Sequence, residues 1–330
     1  MIDIKLLEQL CLCNGISGDE GNVRNLIINE IKDCADDIKT DNLGNLIVFK
    51  KGKKSAKSKL MVSAHMDEVG LMVTDITSDG YLKFDEVGGI DRRVLPGKRV
   101  CVGRNGLNGV IGVKPIHLTN GDEKTAVPKM SDMYIDIGAE SREDALKYVN
   151  YGDGINFEGD FKINGKTVVT KALDDRFGCY VLINLIKSEP EYDMYFTFVV
   201  QEEVGLRGAR PAAFTVNPDF AFVIESTTAA DVAEVDASHQ VCNLSKGATV
   251  TVMDRATVYD KEMISAAFEL AEKNNIAVQY KRAVAGGNDS GAIHQSRGGV
   301  RTLAVSLPSR YIHAPSNLQK YCPIILRAEI

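Results

Sequence analysis

The stretch YFTFVVQEEVGLRGAR, Tyr195 to Arg210, joins an apolar run directly to two adjacent carboxylates, Glu202 and Glu203. The run YFTFVV predicts a buried strand because it consists of β-branched and aromatic residues. A buried carboxylate costs several kcal/mol unless a cation, a proton or hydrogen bonds compensate it. The stretch therefore predicts a strand of a covered sheet that delivers two acids to a polar site.

The segments on both sides of this stretch predict the same kind of sheet. Residues 1–67 are typical of a helix followed by two strands, and strands and helices alternate again after Lys166. Such alternation is typical of a sheet that is covered by helices. The sequence therefore predicts an α/β fold in which a mixed central sheet has helices on both faces.

The segment between these regions has a different texture. Helical patterns nearly vanish in residues 68–168, where short β-rich runs alternate with the turn signals SDG, RNG, LNG and TNG. This pattern predicts a small barrel or sandwich. We expect one α/β domain formed by residues 1–67 and 169–330, with residues 68–168 as an inserted β-rich domain.

Composition excludes several classes of partner. The net charge is −6 with a sequence pI near 5.5, which gives no electrostatic reason to expect nucleic acid or an anionic membrane as a partner. No apolar run approaches the roughly 20 residues of a membrane span, and the first residues do not resemble a signal peptide. The cysteines number 7 and include no C-x-x-C pair, which is typical of a reducing compartment. We expect a cytoplasmic protein.

Chemically reactive side chains follow the predicted strands. The residues at these strand ends are His65 and Asp67 after KLMVSA, Asp174 and Asp175 after TVVTKAL, Glu202 and Glu203 after YFTFVVQ, Glu225 after FAFVI and His313 after LAVSLP. In an open α/β sheet the carboxyl edge of the strands is where ligands bind. Histidines and carboxylates that converge there form the ligand set of a metal site.

Counting ligands predicts two divalent metal ions, zinc or cobalt, in each subunit. The first ion takes His65, Asp174 and Glu225, and the second takes Asp174, Glu203 and His313, with Asp174 as the bridge. Coordination positions left open for water and substrate indicate catalysis. Glu202 points away from its neighbour on an extended chain and is the predicted general base.

Five motifs occur in an order that resembles one known family. They are SAHMDEVG, KALDDRFGC, QEEVGLRGA, GGNDSGAIH and SRYIHAP, and the similarity runs over nearly the whole chain. Together they resemble the TET-type aminopeptidases, dinuclear-metal enzymes that include glutamyl and deblocking aminopeptidases and members labelled endoglucanase M. The resemblance implies removal of N-terminal residues from short peptides by a bridging water that two metal ions activate, with Glu202 as general base.

The resemblance also implies residue roles. It assigns the same five metal ligands, gives Asp67 the task of orienting the His65 imidazole, and implies a cis peptide bond between Asp174 and Asp175. The sequence differs from the family at Glu225, where relatives can carry Asp, and at Asn288, where Thr is common. As substrate-binding or ligand-supporting residues we expect Asp175, Arg207 and Asp289.

The resemblance further implies a homo-oligomer. Residues 68–168 match the family's dimerisation domain, and the family's dimers assemble into a dodecamer with active sites facing an internal cavity. Two other activities are weighed against the aminopeptidase. A related dinuclear-metal amidase, either a carboxypeptidase or a deacylase, could use the same metal ions. A glycosidase is less well supported, because its two carboxylates lie across a sugar and it would leave His65 and His313 unexplained.

Overall fold

The computed structural model describes residues 3–320. Its strands form one sheet of eleven strands and one closed barrel of six strands. This architecture confirms the predicted α/β fold with a β-rich insertion. Of the two forms predicted for the insertion, barrel or sandwich, the structure has the barrel.

The helices and strands have the following bounds. The helices are α1 (Ile4–Leu12), α2 (Gly21–Ile31), α3 (Arg142–Ala145), α4 (Leu173–Lys187), α5 (Ala209–Val216), α6 (Lys261–Lys273) and α7 (Ser290–Ile293). The strands are β1 (Asp37–Thr40), β2 (Leu46–Lys50), β3 (Leu60–His65), β4 (Gly70–Ile76), β5 (Leu82–Val87), β6 (Arg99–Val102), β7 (Leu107–Gly112), β8 (Tyr134–Asp136), β9 (Gly154–Phe157), β10 (Lys162–Asn164), β11 (Thr167–Thr170), β12 (Met194–Val199), β13 (Phe220–Thr228), β14 (Ala248–Val250), β15 (Val278–Tyr280), β16 (Arg301–Arg310) and β17 (Asn317–Lys320). Among these helices of the described chain, none is long and apolar enough to cross a membrane.

The large sheet is mixed, with parallel strands at its centre. Its order is β1-β2-β12-β3-β13-β16-β17-β11-β10, and β14 pairs with β16 and with β15. Strands β12, β3, β13 and β16 run parallel, so their carboxyl ends meet at one edge. The outer strands β2 and β17 are antiparallel to their inner neighbours. The register sets Val199 beside His65 in the parallel centre.

Helices cover both faces of this sheet. Side chains alternate between the faces of a strand, so β12 contributes to two separate cores. Phe196 and Phe198 pack in the core that contains residues of α1, α2 and α4. Val199 packs on the other face with residues of α5, α6 and α7. The apolar run that begins at Tyr195 is therefore buried from both sides.

The barrel has strand order β4-β5-β8-β7-β6-β9 and a core of its own. Strand β10 lies inside the predicted insertion but belongs to the large sheet, where it pairs with β11. The predicted boundary between residues 168 and 169 thus falls inside β11. The predicted α/β domain extends to residue 330, but residues 321–330 lie outside the described part of the chain. The division into domains stays a prediction.

Candidate metal and catalytic centre

The carboxyl ends of the parallel strands bring histidines and acids together. His65 is the last residue of β3, and Glu225 lies near the end of β13. The groups that could hold a metal ion, each with ligand atoms within 4.8 Å of one another, are His65 with Asp174 and Glu225, Asp174 with Glu203 and His313, and His65 with Glu202 and Glu203. The residues predicted from the strand ends as metal ligands therefore lie in one place.

The first group is almost fully buried. His65 Nε2 lies 3.4 Å from Asp174 Oδ1 and 3.4 Å from Glu225 Oε1. All three side chains are buried beneath the edge of the sheet.

The second group shares Asp174 with the first. His313 Nε2 lies 3.3 Å from Asp174 Oδ2 and 3.2 Å from Glu203 Oε2. Asp174 thus presents one oxygen to each histidine, which is the arrangement of a bridging carboxylate. His313 is more exposed than the other members, so this side of the centre is open to solvent.

Both imidazoles are oriented through their other ring nitrogen. His65 Nδ1 lies 3.0 Å from the backbone oxygen of Asp67 and 3.5 Å from its carboxylate Oδ1. His313 Nδ1 lies 3.0 Å from the backbone oxygen of Gly89. A carbonyl acceptor at Nδ1 assigns the proton to that nitrogen and leaves Nε2 with a free lone pair. Each Nε2 is therefore directed as a ligand toward the acids.

Burial and neighbouring charges set the protonation of the centre. Burial raises the pKa of Glu203 to about 8, and nearby Asp174 adds to the rise. Burial also raises the pKa of Glu225 to about 7. Burial alone would lower the pKa of His313, but Asp174 and Glu203 raise it to about 9. The metal-free centre therefore holds protons on groups that must lose them to bind a cation.

The donor set fits a metal ion. Two buried oxygens, Asp174 Oδ1 and Glu225 Oε2, accept no hydrogen bond from the described residues. Burial would raise the pKa of Asp174, but His313 and His65 hold it well below its usual range, so this carboxylate stays ionised. A buried, unsatisfied lone pair is costly, and a divalent cation removes that cost. Imidazole nitrogen together with carboxylate oxygen is a ligand chemistry of catalytic metal sites.

Glu202 lies beside the metal ligands as predicted for a base. One of its carboxylate oxygens is within 4.8 Å of the ligand atoms of both His65 and Glu203. Burial raises the pKa of Glu202 well above its ordinary value; His65 opposes this rise, and Glu225 adds to it. A carboxyl group with a raised pKa can both accept and return a proton near neutral pH.

The three further residues predicted to contact substrate or support the ligands occupy different environments. Asp175 is fully buried, accepts the backbone N–H of His65 at 3.3 Å, and follows a cis peptide bond from Asp174, which confirms the expectation drawn from the resemblance. Arg207 is exposed on the turn after β12. Asp289 is fully buried, and neither of its carboxylate oxygens has a hydrogen-bond partner among the described residues.

Sequence reasoning missed a buried ion pair beside the centre. Lys171 Nζ donates to Glu68 Oε1 at 2.8 Å and to Oε2 at 3.0 Å, and both side chains are buried. The signal was present, because a lysine at the end of an apolar strand requires a buried partner. The pair lines a small pocket together with Phe157 of the barrel and the metal-ligand candidates Asp174, Glu203 and His313.

Comparisons with known proteins cover nearly the whole chain. The family model described as M42 glutamyl aminopeptidase matches residues 44–322. A putative aminopeptidase of Acetivibrio thermocellus is 45% identical over 312 residues, which cover 94% of this chain and 91% of that protein.

Two solved structures extend the similarity to the fold. The crystal structure of the TET aminopeptidase from the marine sediment archaeon Thaumarchaeota archaeon SCGC AB-539-E09 has a TM-score of 0.92 at 33% identity, covering 96% of this chain and 91% of that one. The TET1 peptidase of Pyrococcus horikoshii, described as able to assemble into a tetrahedron or a large octahedral shell, has a TM-score of 0.84 at 39% identity, covering 96% and 94% of the two chains.

Proposed function

Because the chain belongs to the M42 glutamyl aminopeptidase family and is an aminopeptidase, we propose that it releases N-terminal residues from short peptides with two divalent metal ions and Glu202 as the proton carrier. The position of Asp174 carries this proposal. Its Oδ1 faces His65 and its Oδ2 faces His313, so one buried carboxylate serves two ligand sets. Each histidine faces its own oxygen of this carboxylate, which supports one ion beside each histidine.

The two ions, zinc or cobalt, would share Asp174 between two sets of ligands. His65, Asp174 and Glu225 would hold the first, and Asp174, Glu203 and His313 would hold the second. When bound, such ions polarise a peptide carbonyl and lower the pKa of water. Glu225 retains the carboxylate that relatives can supply as Asp, with one more methylene between the backbone and the ligand oxygen.

Glu202 carries the proton. Its neighbours His65 and Glu203 each already serve one ion, so its carboxylate is left free to take a proton from water and pass it to the leaving amine. The hydrogen bonds between Asp67 and the His65 imidazole keep the ligand nitrogen directed at the centre. We assign Asp67 this orienting role.

The substrate would approach from the open side near His313. A small pocket beside Asp174, Glu203 and His313 lies on that side of the centre. Arg207 and Asp289 remain proposed substrate contacts, whereas Asp175 supports the His65 backbone from inside the sheet. The clustered carboxylates also favour a substrate whose amino terminus is free and positively charged.

We extend the proposal to the assembly and its location. A relative that assembles into a tetrahedron or an octahedral shell supports a homo-oligomer, built from dimers that contact through residues 68–168 and form a dodecamer in the cytoplasm. Light scattering after size-exclusion chromatography would give about twelve times the chain mass of 36.0 kDa for a dodecamer. A monomer or a dimer across a wide concentration range would contradict the dodecamer.

The experiment that tests the activity uses a panel of aminoacyl nitroanilides, each with a free and an acetylated amino terminus. The protein is stripped with a chelator and reloaded with zinc or cobalt. We expect metal-dependent cleavage of the free-amine substrates alone, and the panel then gives the side-chain preference. Equal cleavage of acetylated substrates would favour the related amidases instead, and activity on polysaccharide that survives chelation would favour a glycosidase.

A further inference from the structure

The turn that carries Glu202 is held by side chains rather than by a sheet. Strand β12 ends at Val199, and the next four backbone N–H groups each donate to a side-chain oxygen. The four bonds are Val200 N to Asn45 Oδ1 at 2.9 Å, Gln201 N to Glu20 Oε1 at 3.1 Å, Glu202 N to Asp67 Oδ1 at 3.0 Å and Glu203 N to Asp67 Oδ2 at 3.1 Å.

The acceptors come from three separate segments. Asn45 directly precedes β2, Glu20 precedes α2, and Asp67 follows β3. All three side chains are buried, with exposed fractions of 0%, 4% and 0%. A buried backbone N–H without an acceptor is costly, so the turn is stable only where these oxygens are in place.

The acceptors are themselves fixed. Asn45 Nδ2 donates to Asp41 Oδ2 at 2.7 Å and to the backbone oxygen of Gly208 at 2.9 Å. Glu20 Oε1 also accepts the N–H of Gly18 at 2.7 Å, and Ser17 Oγ donates to Asp67 Oδ2 at 2.5 Å. The acceptor oxygens are therefore held in fixed positions relative to the turn.

The turn needs this support because of its backbone. Gln201 has φ +57°, in the left-handed region that a side chain with a Cβ adopts at a cost. It immediately precedes Glu202, so its backbone conformation determines the direction in which the Glu202 side chain points. The Glu20 carboxylate binds the N–H of this same residue.

We propose that Glu20 and Asn45 are positioning residues of the reaction. They fix the backbone at Gln201 and Val200 and thereby set the distance between the Glu202 carboxylate and the metal ligands. The proposal rests on the proposed function, in which Glu202 carries the proton. Neither residue lies in a ligand set, and their effect is exerted through the turn.

The test compares Glu20→Ala with Glu20→Gln in the metal-loaded enzyme. Glutamine keeps a side-chain oxygen that can accept from Gln201 N, and alanine does not. Since a misplacement of about 1 Å can cost about 100-fold in rate, we expect kcat to fall about 10- to 100-fold in Glu20→Ala, with KM changed less than about 3-fold and metal content unchanged. Glu20→Gln should restore kcat to within about 3-fold of the parent.

A second measurement reports on the turn without activity. In metal-free protein, the peptide that spans residues 200–204 should exchange its amide hydrogens faster in Glu20→Ala than in Glu20→Gln. The matched control is Glu30→Ala, which removes a glutamate from α2, the helix that Glu20 precedes, where Glu30 makes an ion pair with Lys187 at the surface. Glu20 makes no side-chain capping bond to α2, so its replacement does not uncap the helix. We expect parent-like kcat and exchange in the control.

Three results would overturn the positioning role. They are parent-like kcat in Glu20→Ala, equal loss in Glu20→Ala and Glu20→Gln, and a loss of bound metal that accounts for the fall in kcat. Glu202→Gln, measured in parallel, separates this inference from its premise. If Glu202→Gln is inactive while Glu20→Ala keeps parent-like activity, the positioning role alone is overturned. If Glu202→Gln keeps near-normal turnover, the proposed function and the inference are overturned together.

Discussion

Asp174 shows how much one residue contributes to the centre. It is buried, it is ionised, and its two oxygens lie 3.4 Å and 3.3 Å from two different histidines. A change in its position would therefore alter both ligand sets at once. The remaining ligands each serve one set, so their replacement should have separable effects.

Glu202→Gln should remove the proton carrier and leave both ligand sets intact. We expect kcat to fall by roughly 10²- to 10⁴-fold, because that is the usual contribution of a general base. Metal content, measured by mass spectrometry of the dialysed protein, should stay at the parent value. Near-normal turnover would show that another group carries the proton.

His313→Ala should remove one imidazole from the second ligand set alone. We expect the metal content to fall from about two ions per chain to about one, because one neutral nitrogen ligand is lost while the first set is unchanged. The control is His239→Ala, which removes an exposed histidine outside both sets. An unchanged stoichiometry in His313→Ala would argue against this ligand assignment.

The sequence predicts that the candidate ligands lie together because they recur at one kind of place, the carboxyl end of an apolar strand. His65 and Glu203 are examples, since both stand immediately after recognisable runs. No comparable sequence pattern marks Glu20 and Asn45. They act by accepting backbone N–H groups, which every residue but proline supplies, so their partners become visible only once the chain is folded.

At the scale of elements, the close approach of α5 to the end of β12 shapes the turn. Gly208, the residue before α5, donates its N–H to the backbone oxygen of Val200 at 3.0 Å and accepts from Asn45 through its own oxygen. A Cβ at Gly208 would overlap Asn45 Oδ1 and the Val200 oxygen. This crowding explains the glycine in the motif QEEVGLRGA.

Gly208→Ala should therefore destabilise the protein by about 1–3 kcal/mol, the usual cost of overpacking a dense site. Denaturant unfolding of the metal-free protein measures this change. Gly298→Ala is the control, because nothing lies within 4 Å of a Cβ built there. Equal stability of the two variants would show that the turn has room to move.

The form of the insertion could not be predicted at this scale. Turn signals and short β runs identify strands. Closure of the barrel, however, depends on which edge strands pair, and β4 pairs with β9, which lies at the other end of the segment in sequence. The same limit applies to β10 and β11. Their composition resembles the preceding strands, yet β11 pairs with β17 of the large sheet and β10 pairs with β11.

At the scale of the molecule, the charges of the centre make stability depend on pH. The pKa values of Glu225, Glu203 and His313 are raised to about 7, 8 and 9, the first two by burial and the third by neighbouring acids. The folded metal-free protein then binds more protons than the unfolded chain, so stability falls as pH rises through these values. Asp174 acts in the opposite sense, but its window lies at acid pH.

We therefore expect the melting temperature of chelated protein to be lower at pH 9 than at pH 6. Bound metal requires the deprotonated ligands, so the rise in melting temperature on adding zinc should be larger at pH 9. Thermal unfolding with and without chelator at both values of pH measures the difference. A metal-free protein that becomes more stable toward pH 9 would contradict these protonation states.

The four bonds to the Glu202 turn also constrain how the chain is made. Asn45 and Glu20 precede their partners by 155 and 181 residues, and the entire barrel is synthesised in between. At about 5–20 residues per second, a ribosome needs roughly 10–40 seconds after Asn45 and Glu20 to synthesise the residues of the turn that bind them. Until then Asn45 and Glu20 lack the donors that the turn supplies, so the nascent N-terminal segment cannot reach its final packing. The catalytic turn can thus form only after the entire barrel has been synthesised.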